Sequence, residues 1–415
     1  MTELSAATVG ALDGRVAVPG YDRSAVATGL MHFGVGGFHR AHQALFTDDI
    51  LHSDPQWGIC GVGLLPADAR MRDVTAAQDR LYTVLTCAPD SPHEARVVGS
   101  HSEYLFAPEE PAAVVERLAD EAVRVLTLTV TEKGYSLDLA TGQLDTASAA
   151  VQSDVRALRA GELVAFETAT AYILAACALR RERGSRGFAA LSCDNVQANG
   201  DMLRASVLGM AAEVDPELRA WIEASVTFPN SMVSCRDIAG IWVAFFSRCQ
   251  RYEYRCGQVD RITPVTTPEV GDSLRSEFGI EDKWPVICED FIQWVVEDQF
   301  PHGRPAWEEA QGGGRCLFVE DVMPYELMKL RLLNGSHQVS PTPPATQHTT
   351  MEMFHPVHPP GFDVAPACPT SGPLLPLAAD GPRAGARGDG RSDGAPLHAD
   401  VHGCLHGQRA GGAGD

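Results

Sequence analysis

A chain of 415 residues, 45% hydrophobic and 21% charged, has the balance of a globular protein and the length for two domains or so. Its net charge of −21, with no basic block to offset it, argues against a nucleic-acid or anionic-membrane surface. No apolar run approaches the roughly 20 residues of a membrane helix, and the 11 cysteines form no CxxC pair, which disfavours a disulfide framework or a zinc site. Residues 1–29 lack a secretory pattern, so a reducing cytoplasm is the expected compartment.

Leu30-Met31-His32-Phe33 reads as a short buried strand, Gly34-Val35-Gly36-Gly37 as a tight turn, and Phe38 to Leu51 as a helix. In this strand–GxGG–helix order a glycine-rich turn points to a dinucleotide site, with Gly34 making the turn and Gly36 letting backbone approach a pyrophosphate. His39 stands where the usual fingerprint has its third glycine. A second strand, Trp57 to Leu64, completes a βαβ unit. Asp68, soon after it, could accept from a ribose 2′-hydroxyl or instead cap a helix over Ala69 to Arg80.

Val123 to Val130 is a β-branched run that predicts a central strand, with Thr131-Glu132-Lys133-Gly134-Tyr135 leaving its carboxyl end. A helix over Ala165 to Arg181 leads to a strand over Gly187 to Ser192 and then to Cys193-Asp194-Asn195. The Asn195 amide could donate to a substrate oxygen or close a turn. Further on, Pro324 opens a predicted helix to Gln338 with Leu327, Leu330 and Leu333 on its apolar side. Lys329, Asn334 and His337 share one broad face of that helix, which serves either a small ligand or solvent. Glu326, on the same side as Lys329, suits a proton relay or an ordinary surface pair.

Six motifs occur in order: GVGGFHRAH from Gly34, TEKGY from Thr131, SCDN from Ser192, TFPNSMV from Thr227, DRITP from Asp260 and KLRLLNGSH from Lys329. Together they resemble the long-chain polyol dehydrogenase family, from about Leu30 to Gln338. The resemblance implies an α/β fold, with a Rossmann-type dinucleotide-binding domain followed by a mostly α-helical one and the active site between them. It implies a monomeric, metal-independent enzyme that uses NAD to interconvert a polyol and a ketose, D-mannitol and D-fructose first. A uronate reductase or another polyol dehydrogenase of the family is the alternative. By position, Lys329 is similar to the family's general acid/base, Asn195 and Asn334 to the amides that hold the reacting oxygen, and His337 to a substrate-orienting residue. Asp260 matches the acid of DRITP, while Gly34, Gly36, Gly37, Phe38, Asp68 and Lys133 fall at the cofactor.

Two stretches depart from the family. Ser234 to Val259, 26 residues, separates motifs that run together in the family, and from Val339 to Asp415 a Pro-, Gly-, Ala- and His-rich tail predicts disorder. The expected domains are therefore 1–283 with the insertion 234–259, 284–338 as the start of a truncated helical domain, and the tail 339–415. Both departures open on Val-Ser, encodable as GTGAGN, and the first ends Gln258-Val259, with Gln encodable as CAG. This reads as two retained introns of a eukaryotic gene. On that reading the chain as written is an impaired enzyme, or an inactive form that keeps the nucleotide-binding domain.

Overall fold

The computed structural model describes residues 1–87, 92–138, 140–233, 266–290 and 292–329, which lie in one unit, Met1–Thr342. In chain order the elements that matter begin with β1 (Thr28–Phe33), α1 (Gly37–Ala41), α2 (Gln43–Ile50), β2 (Gly58–Gly63) and α3 (Ala69–Ala77). The antiparallel pair β3 (Tyr82–Cys87) and β4 (Glu94–Val98) follows, then β5 (His101–Phe106), α4 (Pro111–Ala119) and β6 (Val125–Leu128). Next come α5 (Ala149–Ala160), α6 (Ala169–Arg183), β7 (Ala189–Ser192), α7 (Asn199–Val214), α8 (Pro216–Ser225) and β8 (Ser231–Val233). The described chain closes with α9 (Pro268–Phe278), β9 (Val286–Glu289), β10 (Trp294–Glu297), β11 (Cys316–Val319) and α10 (Met323–Lys329).

Five strands form a wholly parallel sheet in the order β7-β6-β1-β2-β5. The order reverses between β1 and β6, so both strands send their carboxyl-end loops into one crevice, where open α/β sheets bind their ligands. The central strands β1 and β6 are buried on both faces because both are covered. Met31, Phe33, Leu126 and Leu128 pack into one core with Tyr172 and Ile173 of α6 and Val207 of α7. Leu30, Val125 and Leu191 face the other way, into a core with Phe46, Trp294 and Trp307.

The expected strands and helices recur with shifted ends. β6 stops at Leu128, two residues early, because Thr129 already contacts the glycine turn. The helix expected over Phe38 to Leu51 is broken at His42, whose φ of −126° and ψ of −93° are not helical. That break seats the His42 ring against Phe38, Phe46 and Trp294. The stretch 284–338, expected to open a helical domain, first adds three strands. β9 pairs with β3, while β10 lies between β8 and β11. Only at Met323 does its helix begin.

Arg180 closes the base of the sheet. Fully buried, it donates to the carbonyls of Leu118, Asp120 and Val123 ahead of β6, and of Arg186 and Gly187 ahead of β7, at 2.6–3.1 Å. Burial pulls its pKa down to about 10, yet it stays charged at neutral pH. Arg180→Met should keep the volume but remove the guanidinium donor from five carbonyls, those of Leu118, Val123 and Gly187 lying in buried bonds. Each orphaned group costs about 1–3 kcal/mol, so the variant should lose about 3 kcal/mol or more in urea unfolding.

Candidate active site

The site begins where β1 ends. Gly34 has φ of +90°, and a Cβ there would collide with the Thr129 carbonyl oxygen, so only glycine fits. The Thr129 hydroxyl donates to Gly34 O at 2.8 Å, fixing the turn to the end of β6. The other two glycines face open space. A Cβ at Gly37 would meet nothing within 4 Å, and one at Gly36 only Gly34 O at 3.9 Å. That room beside the turn can take a ligand's phosphates. Phe38 follows in α1, half-buried and stacked on His42.

His39, in the third glycine's place, is buried rather than presented to a ligand. Its ring stacks on His32 at 3.5 Å and 12°, Nδ1 bonds Gln43 Oε1 at 2.9 Å, and Nε2 meets His101 Nε2 at 3.1 Å. His32 in turn bonds Thr127 Oγ1 at 2.8 Å and reaches Gly34 O and Thr129 Oγ1 at 3.2 Å. Burial drives all three imidazoles down, His32 and His101 to about 3 and His39 well below its ordinary value. A neutral histidine stack therefore floors the glycine turn.

The loop after β6 is held by Asp194. Its carboxylate accepts from Val130 N at 3.1 Å, Thr131 N at 3.0 Å and the Tyr135 hydroxyl at 2.7 Å. Tyr135 also meets Ser192 Oγ at 2.5 Å. Between those donors Thr131 adopts φ 66°, ψ 164°, a region that only glycine ordinarily enters, at a cost of about 1–3 kcal/mol. Burial raises the pKa of Asp194, while its hydrogen bonds act to lower it. Lys133 and Asn195 are exposed, on the loop Asp194 clamps and beside Asp194 itself.

Next to that loop α7 starts without a cap of its own. Ala198 is left-handed at φ 51° and offers no side-chain cap. Distant segments supply the acceptors instead. Asn230 Oδ1 takes the Gly200 and Asp201 amides at 2.8 and 3.2 Å, and Glu326 of α10 takes the Ala198 amide at 3.2 Å. Buried Asn199 bonds Asp194 O, Ser231 O and Ser231 N at 2.8–2.9 Å. Glu297, also buried, holds the Asn230 amide at 3.0 Å. Glu326 is thus buried and accepts from the amide that opens α7, rather than lying on an exposed face. Lys329 lies one turn further along α10. Within α10 Glu326 is buried and Tyr325 half-buried, after buried Val322 just before the helix, whereas Leu327 is 37% exposed, contrary to the apolar face expected for it. Asp260, Asn334 and His337 lie outside the described residues, as do Leu330 and Leu333.

Asp68 sits past the end of β2, half-buried, and accepts from Leu65 N at 2.9 Å instead of capping α3. The two arginines beside it are engaged. Arg70 lies over Trp284 at 4.2 Å, and Arg72 bonds Asp73 at 2.9 Å and Glu109 at 2.5 Å. The structure thus brings Gly34, Gly36, Gly37, Lys133, Asn195 and the Lys329 helix to the carboxyl ends of the parallel strands. The sequence did not point to the connecting set Asp194, Asn199 and Glu297, nor to the contact of Glu326 with the start of α7. Asp194 and Asn199 follow a strand end within seven residues, the one local signal available. Among the described residues no group of three or more His, Cys, Asp or Glu is arranged to hold a metal, and no helix is long and apolar enough to cross a membrane.

The profile of the mannitol dehydrogenase Rossmann domain matches residues 28–235 and 250–309. The chain is 42% identical over 324 residues to a mannitol 2-dehydrogenase of Phaeosphaeria nodorum, covering 78% of this chain and 51% of that one. It is 40% identical over 326 residues to a D-mannonate oxidoreductase of Escherichia coli, covering 78% and 60%. Among solved structures, Pseudomonas fluorescens mannitol 2-dehydrogenase, in a ternary complex with NAD and D-mannitol, matches with a TM-score of 0.70 at 38% identity, covering 81% and 61%. The chain spans about half to three-fifths of the length of these relatives.

The histidine floor makes stability depend on pH in a defined direction. Folded pKa values near 3 for His32 and His101 lie below the ordinary 6.5, so only the unfolded chain takes up their protons between those limits. The stabilisation is complete above pH 6.5 and is lost as pH falls, by up to about 1.4 kcal/mol per unit for each histidine. The urea midpoint should therefore drop from pH 7.5 to pH 5, and His101→Asn should shrink that difference. An equal drop in the variant would refute the assignment.

Proposed function

The chain belongs to the mannitol dehydrogenase family, and from that premise we propose that it is an NAD-linked oxidoreductase interconverting D-mannitol and D-fructose. The observation that carries this reading is the meeting of two elements at the switch point of the sheet. One is the open Gly36–Gly37 turn, and the other is the strand end bearing Asn195, tied through Ala198 and Glu326 to the helix of Lys329. The turn fits a dinucleotide, since a Cβ at Gly37 would meet nothing within 4 Å and its floor is neutral. Gly34, Gly36, Gly37 and Phe38 would hold the pyrophosphate side, with Lys133 on the opposite loop. Asp68 past β2 supports a free ribose 2′-hydroxyl over a 2′-phosphate, and the engagement of Arg72 by Asp73 and Glu109 supports it further.

Bound NAD supplies a hydride acceptor for the carbinol carbon. The residues would do the rest. Lys329 takes the hydroxyl proton, and a site shut off from water lowers the lysine pKa enough for that work. Asn195 and Asn334 donate amide N–H groups to the reacting oxygen, which stabilises developing alkoxide charge without protonating it. His337 orients the substrate hydroxyls, and Asp260 closes the far wall. A second reading, reduction of a uronate, is favoured by the 40% identity to the D-mannonate oxidoreductase. The two pairs share the carbinol chemistry and differ at the distal end of the substrate.

Nicotinamide fluorescence titration of the full chain should show tighter binding of NADH than of NADPH, and the reverse order would overturn the cofactor assignment. Oxidation of D-mannitol with NAD should exceed that of D-mannonate. The opposite ranking would favour the uronate reading, and NADH binding without turnover of either would leave a dinucleotide-binding form only. Lys329→Ala should lower kcat by about 10²–10⁴-fold while NADH affinity stays nearly unchanged. A loss under about fivefold would refute the role of Lys329.

A further inference from the structure

Asp194 is adjacent in sequence to Asn195, yet its carboxylate is spent on the opposite loop. Its donors are two successive amides, Val130 N and Thr131 N, and the Tyr135 hydroxyl. They bracket the stretch that contains Lys133. Thr131 between them is β-branched and sits at φ 66°, ψ 164°, which it would leave if the amides were not held. Two residues back, Thr129 presses its carbonyl on Gly34 and donates its hydroxyl to the same residue's carbonyl. On its other side the Asp194 carbonyl accepts from Asn199, which starts α7 and grips Ser231.

We propose that Asp194 is a positioning residue that couples the cofactor loop to the substrate amide, by holding the strained Val130–Tyr135 loop against the glycine turn while fixing where Asn195 leaves the sheet. This rests on the dinucleotide reading of the glycine turn. Neither ligand touches Asp194 on this account. It acts through Thr131 and Thr129 towards the cofactor, and through its own backbone towards Asn195. A carboxylate is required because both partner groups at the backbone are donors. An amide of the same shape would turn its N–H₂ towards one of them.

The test uses the full chain with NADH as probe and hydrogen exchange as a second readout. Asp194→Asn should speed exchange at the Val130 and Thr131 amides and raise the NADH Kd at least tenfold. Adding Thr131→Gly, which removes the conformational strain, should recover most of that affinity. A group needed only for stability would give no such rescue. Should Asp194→Asn fail to fold, Tyr135→Phe deletes one of the three donors and should raise Kd about threefold, again with rescue by Thr131→Gly. If the wild-type chain binds NADH and Asp194→Asn binds it within twofold, or if Thr131→Gly restores nothing, the inference falls alone. If the wild-type chain binds no NADH, the dinucleotide reading falls and takes this inference with it.

Discussion

At the switch point of the sheet, β1 and β6 end side by side, and the backbone of Gly34 lies against that of Thr129 with no room for a side chain between them. Everything functional in the described chain is placed relative to this contact. It fixes the height at which the glycine turn leaves the sheet, and so the open space beyond Gly36 and Gly37. It also forces β6 to end at Leu128, which starts the following loop early and leaves Thr131 in a glycine-like conformation. One steric constraint thus sets the cofactor side of the crevice and creates the strain that Asp194 must hold.

The polar groups around the crevice follow one rule: each buried acceptor answers a backbone donor that regular structure leaves unpaired. The first turn of α7 has orphan amides, and Asn230 and Glu326 take them. The loop after β6 has two more, and Asp194 takes those. Glu297 takes the Asn230 amide in the next layer. An unmet buried amide costs about 1–3 kcal/mol, so such pairs hold three distant segments together where apolar contacts alone would let them slide. The histidine floor is the complementary case, uncharged and stacked, supporting the turn without bringing a competing charge to it.

The strands nearest the centre were legible because they are apolar on both faces. The run Leu30 to Phe33 and the run Val125 to Leu128 are buried throughout, and their positions follow from pattern alone. β5 was not legible. As the edge strand it is half-buried from Ser102 to Leu105, and His101-Ser102-Glu103-Tyr104 has no apolar period to read. Gly34 was legible as a turn residue, while the reason for it, contact with Thr129, is 95 residues distant. Asp194 and Glu326 carry the same lesson. Their roles depend on amides that distant segments bring to them, so local pattern could mark the positions but not the partners. Leu327 was misplaced for a related reason, because Glu326 finds a donor inside and turns the helix accordingly.

The stretch that interrupts the family pattern can be placed by the same logic. Before it, β8 is anchored three ways: by its ladder to β10, by Asn199 on both sides of Ser231, and by Asn230 through Glu297. After it, Thr266 donates to Pro285 O at 2.6 Å, and α9 buries Val270, Leu274 and Phe278 in a separate core with Leu85 and Ile287. The family profile is itself interrupted between 235 and 250. Each flank is thus held by contacts among the described residues. Added length in a connection between two anchored segments costs mainly loop-closure entropy, about 0.6 kcal/mol per doubling. The contacts described for the glycine turn, the histidine floor and the Asp194 clamp all come from residues that precede Asn199, well before that stretch begins.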